Sequence, residues 1–275
     1  MPMRVTTLGT GSPIPDPKRA GPSTLVQAGG QHLLFDCGRA VLMRLSALGI
    51  TPPALAHVFL THLHSDHITD FNDVVTTRWV MSPAPSPLTV TGPPGTAELA
   101  RRTIAMLADD VCWRLAHHDD LTWEPSCDVT EVLDGIALDS EGIRVVAAPT
   151  DHRPVTPTVG FRVEHDGRAV VIGGDGVPCD SLDRLCSGAD MYVQTVTRAE
   201  VVRSIPSPRL QDVIDYHSSC ADAGRTAARA GVRTLVLTHP VPFAVPGTEH
   251  EWVAEAAAHF GGEVHLAADL DSFDL

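Results

Sequence analysis

A short run of ligand-type side chains, THLHSDH at Thr61–His67, is the strongest chemical signal in the sequence. It contains His62, His64, Asp66 and His67, and it directly follows the apolar segment HVFL. Imidazole and carboxylate groups are common ligands of zinc and related divalent ions, and the end of a strand holds such groups in fixed positions. The run therefore predicts a metal site rather than a polar surface loop.

Three more ligand-type residues follow predicted strands later in the chain. His152 comes after GIRVVAAPT, Asp175 after RAVVIGG, and His239 after TLVLT. A single such histidine is more often an ordinary loop residue, but together with the first run the three complete a set of seven. Because the set has no cysteine thiolate, it suits zinc and also manganese or iron.

Short apolar strands and amphipathic helices must position these side chains. Strand patterns occur at RVTTLG, TLVQA, HLLFD, HVFLT and LTVT, and again at GIRVVAAPT, VGFRVE, RAVVIGGD, ADMYVQT and TLVLTH. Asp166-Gly167 is typical of a hairpin turn, and Thr96 is expected to cap a helix. Two β-rich halves, about 1–140 and 141–275, predict one domain in which two sheets pack face to face and helices cover both sides.

The composition narrows the class of protein. With 275 residues and 43% hydrophobic residues, the chain can bury a core without disulfides. The six cysteines form no CxxC pair, and no signal-peptide or membrane-length apolar run occurs, so we expect a soluble cytoplasmic protein with no membrane partner. The formal net charge of −14 gives no general attraction for polyphosphate backbones, which disfavours nucleic acid as a partner.

The motifs together resemble a known family. The HxHxDH run, the later single histidine, the GD after one strand and the TH after another are similar to the metal motifs of the metallo-β-lactamase superfamily. LGTGSPIP, LLFDCG, TGPPGT, DYHSS and AGVRTLVLTH resemble its ribonuclease Z and arylsulfatase branch. The resemblance covers nearly the whole chain, and it implies an α/β four-layer αββα sandwich and a homodimer.

The resemblance also implies roles for the ligand set. One metal would be held by His62, His64 and His152, the other by Asp66, His67 and His239, with Asp175 bridging the two. The expected cofactor is therefore two Zn²⁺ per chain, with Mn²⁺ or Fe²⁺ as alternatives. Two adjacent divalent ions can activate water and clamp the oxygens of an in-line displacement.

Two residues are expected to be catalytic by the same resemblance. Asp66 would orient the attacking water besides binding metal, and His217, in DYHSSCADAG, would lie beside the metals and protonate the leaving oxygen. In ribonuclease Z a glutamate usually orients that histidine, but here Thr195 stands at its position and Gln194 precedes it. The sequence therefore predicts a weakened or rebuilt proton-transfer pair.

Substrate contacts are expected from a few cationic residues. Lys18 and Arg19 lie in the loop PDPKRAGPS, which corresponds to the loop that reads the tRNA end in ribonuclease Z, and Arg153 directly follows His152. Each could meet a phosphate or sulfate group. The interval between His152 and Asp175 holds only two strands and a turn, so it has no room for the long arm with which standard bacterial members grip tRNA.

These observations favour a dinuclear zinc hydrolase, a phosphodiesterase of the ribonuclease Z-like type that acts on a small or modest-size phosphodiester. The expected partner is a small-molecule ester, possibly RNA. Open alternatives are a tRNA 3′-end endonuclease that lacks the arm, and an arylsulfatase, lactonase or β-lactamase. An oxygen-using iron enzyme and a non-catalytic binding protein remain as further alternatives, the latter disfavoured because all seven ligand positions are filled.

Overall fold

Two seven-stranded β-sheets form the centre of the computed structural model, which describes residues 2–275. The strands are β1 (Arg4–Gly9), β2 (Ser23–Ala28), β3 (Gln31–Phe35), β4 (His57–Phe59), β5 (Leu88–Gly92), β6 (Cys127–Glu131), β7 (Gly135–Ser140), β8 (Ile143–Pro149), β9 (Val159–His165), β10 (Arg168–Ile172), β11 (Met191–Thr197), β12 (Thr234–Val241), β13 (Glu263–Leu266) and β14 (Asp271–Asp274). The first sheet has the order β14-β1-β2-β3-β4-β5-β6, and the second has the order β13-β12-β11-β10-β9-β8-β7.

Helices cover the outer faces of both sheets. They are α1 (Val41–Ala47), α2 (Ser65–Ile68), α3 (Phe71–Met81), α4 (Thr96–Met106), α5 (Ala108–His117), α6 (Asp180–Cys186), α7 (Ala199–Arg203), α8 (Pro208–Gln211), α9 (Cys220–Ala230) and α10 (Glu249–Ala257). Short 3-10 turns occur at Pro52–Ala54 and Asp212–Asp215. Among residues 2–275, no helix combines the length and the apolar character that crossing a membrane requires.

The main core lies between the two sheets. Phe35 of β3 stacks on Phe59 of β4 with ring centroids 4.8 Å apart, and Phe161 of β9 meets Phe59 edge-on at 5.3 Å. Two further apolar clusters are present, one between each sheet and the helices that cover it. Burial of apolar surface on both faces of each sheet is what holds four layers together. The predicted αββα sandwich is confirmed.

Each sheet contains strands from both halves of the chain. β14, at the end of the chain, pairs antiparallel with β1, so the last residues complete the first sheet. β7 belongs to the second sheet although it precedes residue 141. The predicted hairpin at Asp166-Gly167 is confirmed, because His165 pairs with Arg168 and both turn residues have positive φ.

One local prediction was wrong. Thr96 does not cap α4: Gly95 occupies the N-cap position with φ of 107°, and Thr96 is the first helical residue. A β-branched residue does not adopt such a φ without strain, whereas glycine does. The Thr96 hydroxyl instead donates to the carbonyl of Pro93 at 2.7 Å and closes the turn that leads into the helix.

Strand ends bring the ligand-type residues to one edge. β10, β11 and β12 are parallel, as are β3, β4 and β5, so their carboxyl ends lie together within each sheet. The loop after β4 joins the two sheets, because the amide of Val159 donates to the carbonyl of Thr61 at 2.9 Å. The common edge is therefore where the predicted metal ligands meet.

The buried imidazole of His57 makes the stability of the fold dependent on pH. His57 stacks on Phe59 at 4.2 Å and shares a hydrogen bond of 2.8 Å with Thr91, and burial lowers its pKa to about 4. In the unfolded chain the same imidazole has a pKa near 6.5, so below neutrality the unfolded state binds more protons than the folded state. The stability that the neutral, buried His57 contributes is therefore fully present above pH 6.5 and is lost as the pH falls toward 4.

We therefore expect His57→Gln to make the free energy of unfolding less dependent on pH. Between pH 7 and pH 5 the wild-type protein should lose about 2 kcal/mol more than this variant. Urea unfolding at several pH values, with equal metal content, measures the difference. The exposed His118→Gln serves as the matched control. Equal pH dependence in wild type and His57→Gln would contradict the assignment.

Candidate metal centre

The structure brings the seven ligand-type residues together in two adjoining groups. His62, His64, His152 and Asp175 form one, and Asp66, His67 and His239 form the other; within each group the ligand atoms lie within 4.8 Å of one another. In the first group, Nδ1 of His64 lies 3.1 Å from Nε2 of His62 and 3.3 Å from Nε2 of His152. In the second, Nε2 of His239 lies 3.1 Å from Oδ2 of Asp66.

The carboxylate of Asp175 lies between the two groups. Its Oδ2 is 3.4 Å from Nε2 of His67, 3.8 Å from those of His62 and His239, and 3.9 Å from that of His152. Burial alone would raise the pKa of Asp175, but the surrounding imidazoles, His67 first, hold that pKa well below its usual range. The carboxylate is therefore ionised and shared by both groups.

Three buried polar atoms of the ligand residues lack hydrogen-bond partners among the described residues. They are Nε2 of His67, Oδ1 of Asp175 and Nδ1 of His239. Buried polar groups without partners are costly, and bound cations are one way in which such groups are satisfied. Because several imidazole nitrogens also face each other at hydrogen-bond distance, the donor set fits divalent metal ions.

The outer nitrogens of the histidines fix which nitrogen faces the centre. Nδ1 of His152 donates to the carbonyl of Tyr216 at 2.8 Å, and Nδ1 of His67 donates to Oδ2 of Asp36 at 2.8 Å. Their Nε2 atoms therefore point inward toward Asp175, in the position that a metal-binding nitrogen must take. Burial also lowers the pKa of His152 to about 4 and that of His62 well below its ordinary value, which keeps both imidazoles neutral.

Asp36 and Thr61 support the centre, although no motif in the sequence predicts a role for them. The amide and the hydroxyl of Thr61 both donate to the Asp36 carboxylate at 2.8 Å, and the hydroxyl lies 3.0 Å from Nδ1 of His62. One buried carboxylate thus orients His67 directly and His62 through Thr61. Asp36 adopts a φ of 59°, and the only sequence signal for this role is a carboxylate at the end of an apolar strand.

Two glycines shape the turn that presents Asp175. Gly174 has a φ of 66°, and a Cβ there would lie 2.9 Å from that of Thr61. A Cβ on Gly176 would lie 2.7 Å from the carbonyl oxygen of Asp151, which is backbone and cannot move aside. The carbonyl of Gly176 accepts bonds from the amide and the hydroxyl of Ser218. The close approach explains why glycine follows Asp175.

His217 lies beside the two groups and is buried. Its Nε2 is 3.3 Å from Oδ2 of Asp175, and its Nδ1 donates to the carbonyl of Val213 at 2.9 Å. Burial would lower the pKa of His217, but the hydrogen bond to Asp175 and the charge of that carboxylate outweigh burial and raise it. A backbone carbonyl thus holds the imidazole where the resemblance leads one to expect a glutamate.

Among the described residues, neither Gln194 nor Thr195 forms a hydrogen bond with the His217 side chain. Both are buried in β11. The Gln194 side chain donates to the carbonyl of Gly174 at 3.0 Å and accepts from the hydroxyl of Tyr192 at 2.5 Å, so it supports the turn that carries Asp175. The carbonyl of Val213 holds Nδ1 of His217 instead, and no side-chain pattern in the sequence reveals this partner.

The three cationic residues predicted to contact substrate differ in their surroundings. Lys18 is exposed at the tip of the turn that begins at Asp16. The Arg19 guanidinium points back into the protein and donates to Thr10 at 2.6 Å and to the carbonyl of Ala267 at 3.1 Å. Arg153 is 78% exposed and pairs with Asp151. Their contact with substrate stays a prediction.

Comparison with known proteins gives consistent matches along the whole chain. The family model for the beta-lactamase superfamily domain matches residues 31–240. A Mycobacterium avium (strain 104) protein named Ribonuclease Z is 56% identical over 270 residues, which cover 98% of this chain and 96% of that protein.

Solved structures agree with the observed fold. Human tRNase Z, short form, has a TM-score of 0.71 and 25% identity, with 98% of both chains covered. The metallo-beta-lactamase fold protein YhfI from Bacillus subtilis has a TM-score of 0.78 and 24% identity, with 100% of both chains covered. The family match, the mycobacterial relative and the fold all agree with the resemblance seen in the motifs. The chain therefore belongs to the metallo-β-lactamase superfamily, in the branch of the ribonuclease Z proteins.

Proposed function

We propose that this chain is a dizinc phosphodiesterase that cleaves precursor tRNA near its 3′ end. That it is a metal-dependent hydrolase follows from its family. The observation that carries the proposal is the convergence of seven ligand-type side chains around the buried carboxylate of Asp175, with the imidazole of His217 3.3 Å away. One zinc ion would be held by each of the two ligand groups.

The length of the Mycobacterium avium relative bears on whether the absence of the long arm argues against an RNA substrate. This chain aligns with 96% of the Mycobacterium avium protein, so that protein exceeds it by only a few per cent and yet is named Ribonuclease Z. A short interval between His152 and Asp175 therefore does not argue strongly against RNA. Together with the name of the human structure, this likeness favours tRNA over the small diester expected from the sequence.

The chain's own residues supply binding and proton transfer. Divalent ions held by the two groups would provide Lewis-acid activation of the phosphoester and of the attacking water. Asp66 accepts a proton from that water or orients it, because its carboxylate faces the centre and contacts His239. His217 donates a proton from Nε2 to the leaving oxygen, while its Nδ1–H stays on the carbonyl of Val213.

Three further properties belong to the proposal. The chain works as one domain of two halves, about 1–140 and 141–275, and the pairing of β14 with β1 supports this. It forms a homodimer, as the resemblance implies, and it acts in the cytoplasm, where free cysteines such as the buried Cys37 and Cys220 stay reduced. Sedimentation of the purified protein tests the dimer.

The zinc-loaded protein should release the 3′ trailer from a precursor tRNA. Asp66→Ala should abolish this release because the variant loses both a metal ligand and the group that handles the attacking water. The exposed Asp128→Ala is the matched control and should cleave like the wild type. Gel analysis of end-labelled precursor, with and without chelator, measures the reaction.

A second candidate function is hydrolysis of a small phosphodiester, which the absence of the long arm favours. The tRNA cleavage assay, run beside a chromogenic phosphodiester, distinguishes the two functions. Turnover of a chromogenic phosphodiester without any cleavage of precursor tRNA would overturn the tRNA proposal. It would assign the enzyme to diffusible substrates.

The role of His217 depends on the leaving group. With RNA, whose alkoxide leaving group needs a proton, His217→Ala should lower kcat by about 10²- to 10⁴-fold. With a p-nitrophenyl diester, whose leaving group needs none, the loss should be at least tenfold smaller. Metal content should stay at the wild-type level, and the exposed His259→Ala is the control. Equal losses on both substrates would contradict the role as proton donor.

A further inference from the structure

The side chain of Tyr216 lies at the metal centre and has no role in the chemistry described above. It is half-buried, and its ring centroid lies 5.4 Å from that of His152 and 4.8 Å from that of His217. The ring therefore packs against one of the expected metal ligands and against the expected proton donor. A group that touches Tyr216 from the solvent side is next to the reacting atoms.

The main chain around Tyr216 fixes the position of the ring. The carbonyl of Tyr216 accepts a hydrogen bond of 2.8 Å from Nδ1 of His152. The turn at Asp212–Asp215, which directly precedes it, supplies the Val213 carbonyl that holds His217. Because one short segment orients both imidazoles, the ring is in place before substrate binds, and this lowers the entropic cost of a contact with it.

The hydroxyl of Tyr216 is a free hydrogen-bond donor. Among residues 2–275 it has no hydrogen-bond partner, whereas the hydroxyl of Tyr192, the second tyrosine of the chain, donates to Gln194. Burial raises the pKa of Tyr216, and nearby carboxylates, that of Asp212 first and that of Asp175 next, raise it further. The phenol therefore stays protonated at neutral pH and can donate to a ligand.

The charges around the phenol indicate what kind of group it contacts. Asp212 and Asp215 are both exposed on the turn before Tyr216 and place negative charge beside it. A further phosphate of the substrate would be repelled at this position, whereas a neutral hydroxyl would not. The surroundings therefore favour a sugar hydroxyl over a phosphate oxygen as the partner of the phenol.

The contact between Tyr216 and His217 indicates which sugar hydroxyl this is. When water attacks the phosphorus and the bond from phosphorus to a 3′ oxygen breaks, His217 gives its proton to that 3′ oxygen. In a ribonucleotide the 2′-hydroxyl is on the adjacent carbon, so it lies beside the imidazole on which the phenol ring packs. The 2′-hydroxyl is also the group by which a protein distinguishes RNA from DNA.

We propose that the Tyr216 hydroxyl donates a hydrogen bond to the 2′-hydroxyl of the nucleotide whose 3′ oxygen leaves. The inference rests on the proposed function, because it takes the substrate to be RNA. Tyr216 is a specificity-determining residue in this account. It binds the ribose of the leaving nucleotide and transfers no proton.

Two precursor tRNAs that differ in one oxygen atom test the contact on the zinc-loaded protein. One is all ribonucleotide, and the other has a single 2′-deoxynucleotide on the 5′ side of the cleaved bond. In the wild type the deoxy substitution should lower kcat/KM about five- to tenfold, as expected for one neutral hydrogen bond. Tyr216→Phe should lower kcat/KM for the all-ribonucleotide precursor by a similar factor and should show no further loss with the deoxy precursor.

Controls separate the hydroxyl from the ring and the main chain. Metal content should be equal in wild type and Tyr216→Phe, because the carbonyl that orients His152 is unchanged. The exposed Ser126→Ala removes a different hydroxyl and should keep the wild-type sensitivity to the deoxy substitution. Equal sensitivity in wild type and Tyr216→Phe would overturn the contact. No cleavage of the deoxy precursor by the wild type would also overturn it, because the 2′-hydroxyl would then be the attacking group.

A binding measurement separates this inference from the proposed function. Adenosine 3′-monophosphate should bind the zinc-loaded wild type about fivefold more tightly than 2′-deoxyadenosine 3′-monophosphate, and Tyr216→Phe should bind both equally. Calorimetric titration gives the four dissociation constants. If the preference occurs in a protein that cleaves no RNA, the contact stands and the proposed function fails. If RNA is cleaved but the wild type shows no preference, the contact is wrong and the function stands.

Discussion

The carboxylate of Asp175 is the group on which the rest of the site depends. It is buried and ionised, and imidazoles from both halves of the chain approach one of its oxygens at 3.3–3.9 Å. An ionised carboxylate without water is very unfavourable unless positive charge and hydrogen bonds compensate it. The ends of β4, β8 and β12 must therefore meet the turn after β10 at one edge of the sandwich. Pairing of β14 with β1 ties the end of the chain to the same architecture.

Supporting contacts extend outward from that carboxylate. Asp36 orients two histidines at once, directly at His67 and through the Thr61 hydroxyl at His62. Gln194 holds the turn that presents Asp175, and the carbonyl of Val213 holds His217. Such outer contacts set which nitrogen faces a metal and how rigidly it is held. Asp36 and His239 both adopt positive φ, so part of the folding free energy maintains the geometry of the site.

The sequence predicts which ligand-type side chains converge because its signals are local. Ligand-type side chains at the ends of apolar strands need only correct strand assignments, and those were correct for β1 to β5 and β8 to β12. The short edge strands β6, β7, β13 and β14 were missed because their exposed faces carry few apolar residues. Contacts between distant positions, such as that of Asp36 with His67, and backbone acceptors such as Val213 leave no pattern in one sequence. Thr96 was misplaced because glycine at position 95 takes the cap conformation.

The central claim is that two metal ions compensate the buried carboxylate of Asp175. Elemental analysis of protein purified without chelator tests it most directly, together with Asp175→Ala and the exposed Asp128→Ala as control. Two zinc ions per wild-type chain are expected, with one or fewer in Asp175→Ala and two in the control. A wild-type chain that holds one ion or none after incubation with zinc, or an Asp175→Ala variant that still holds two, would contradict the account.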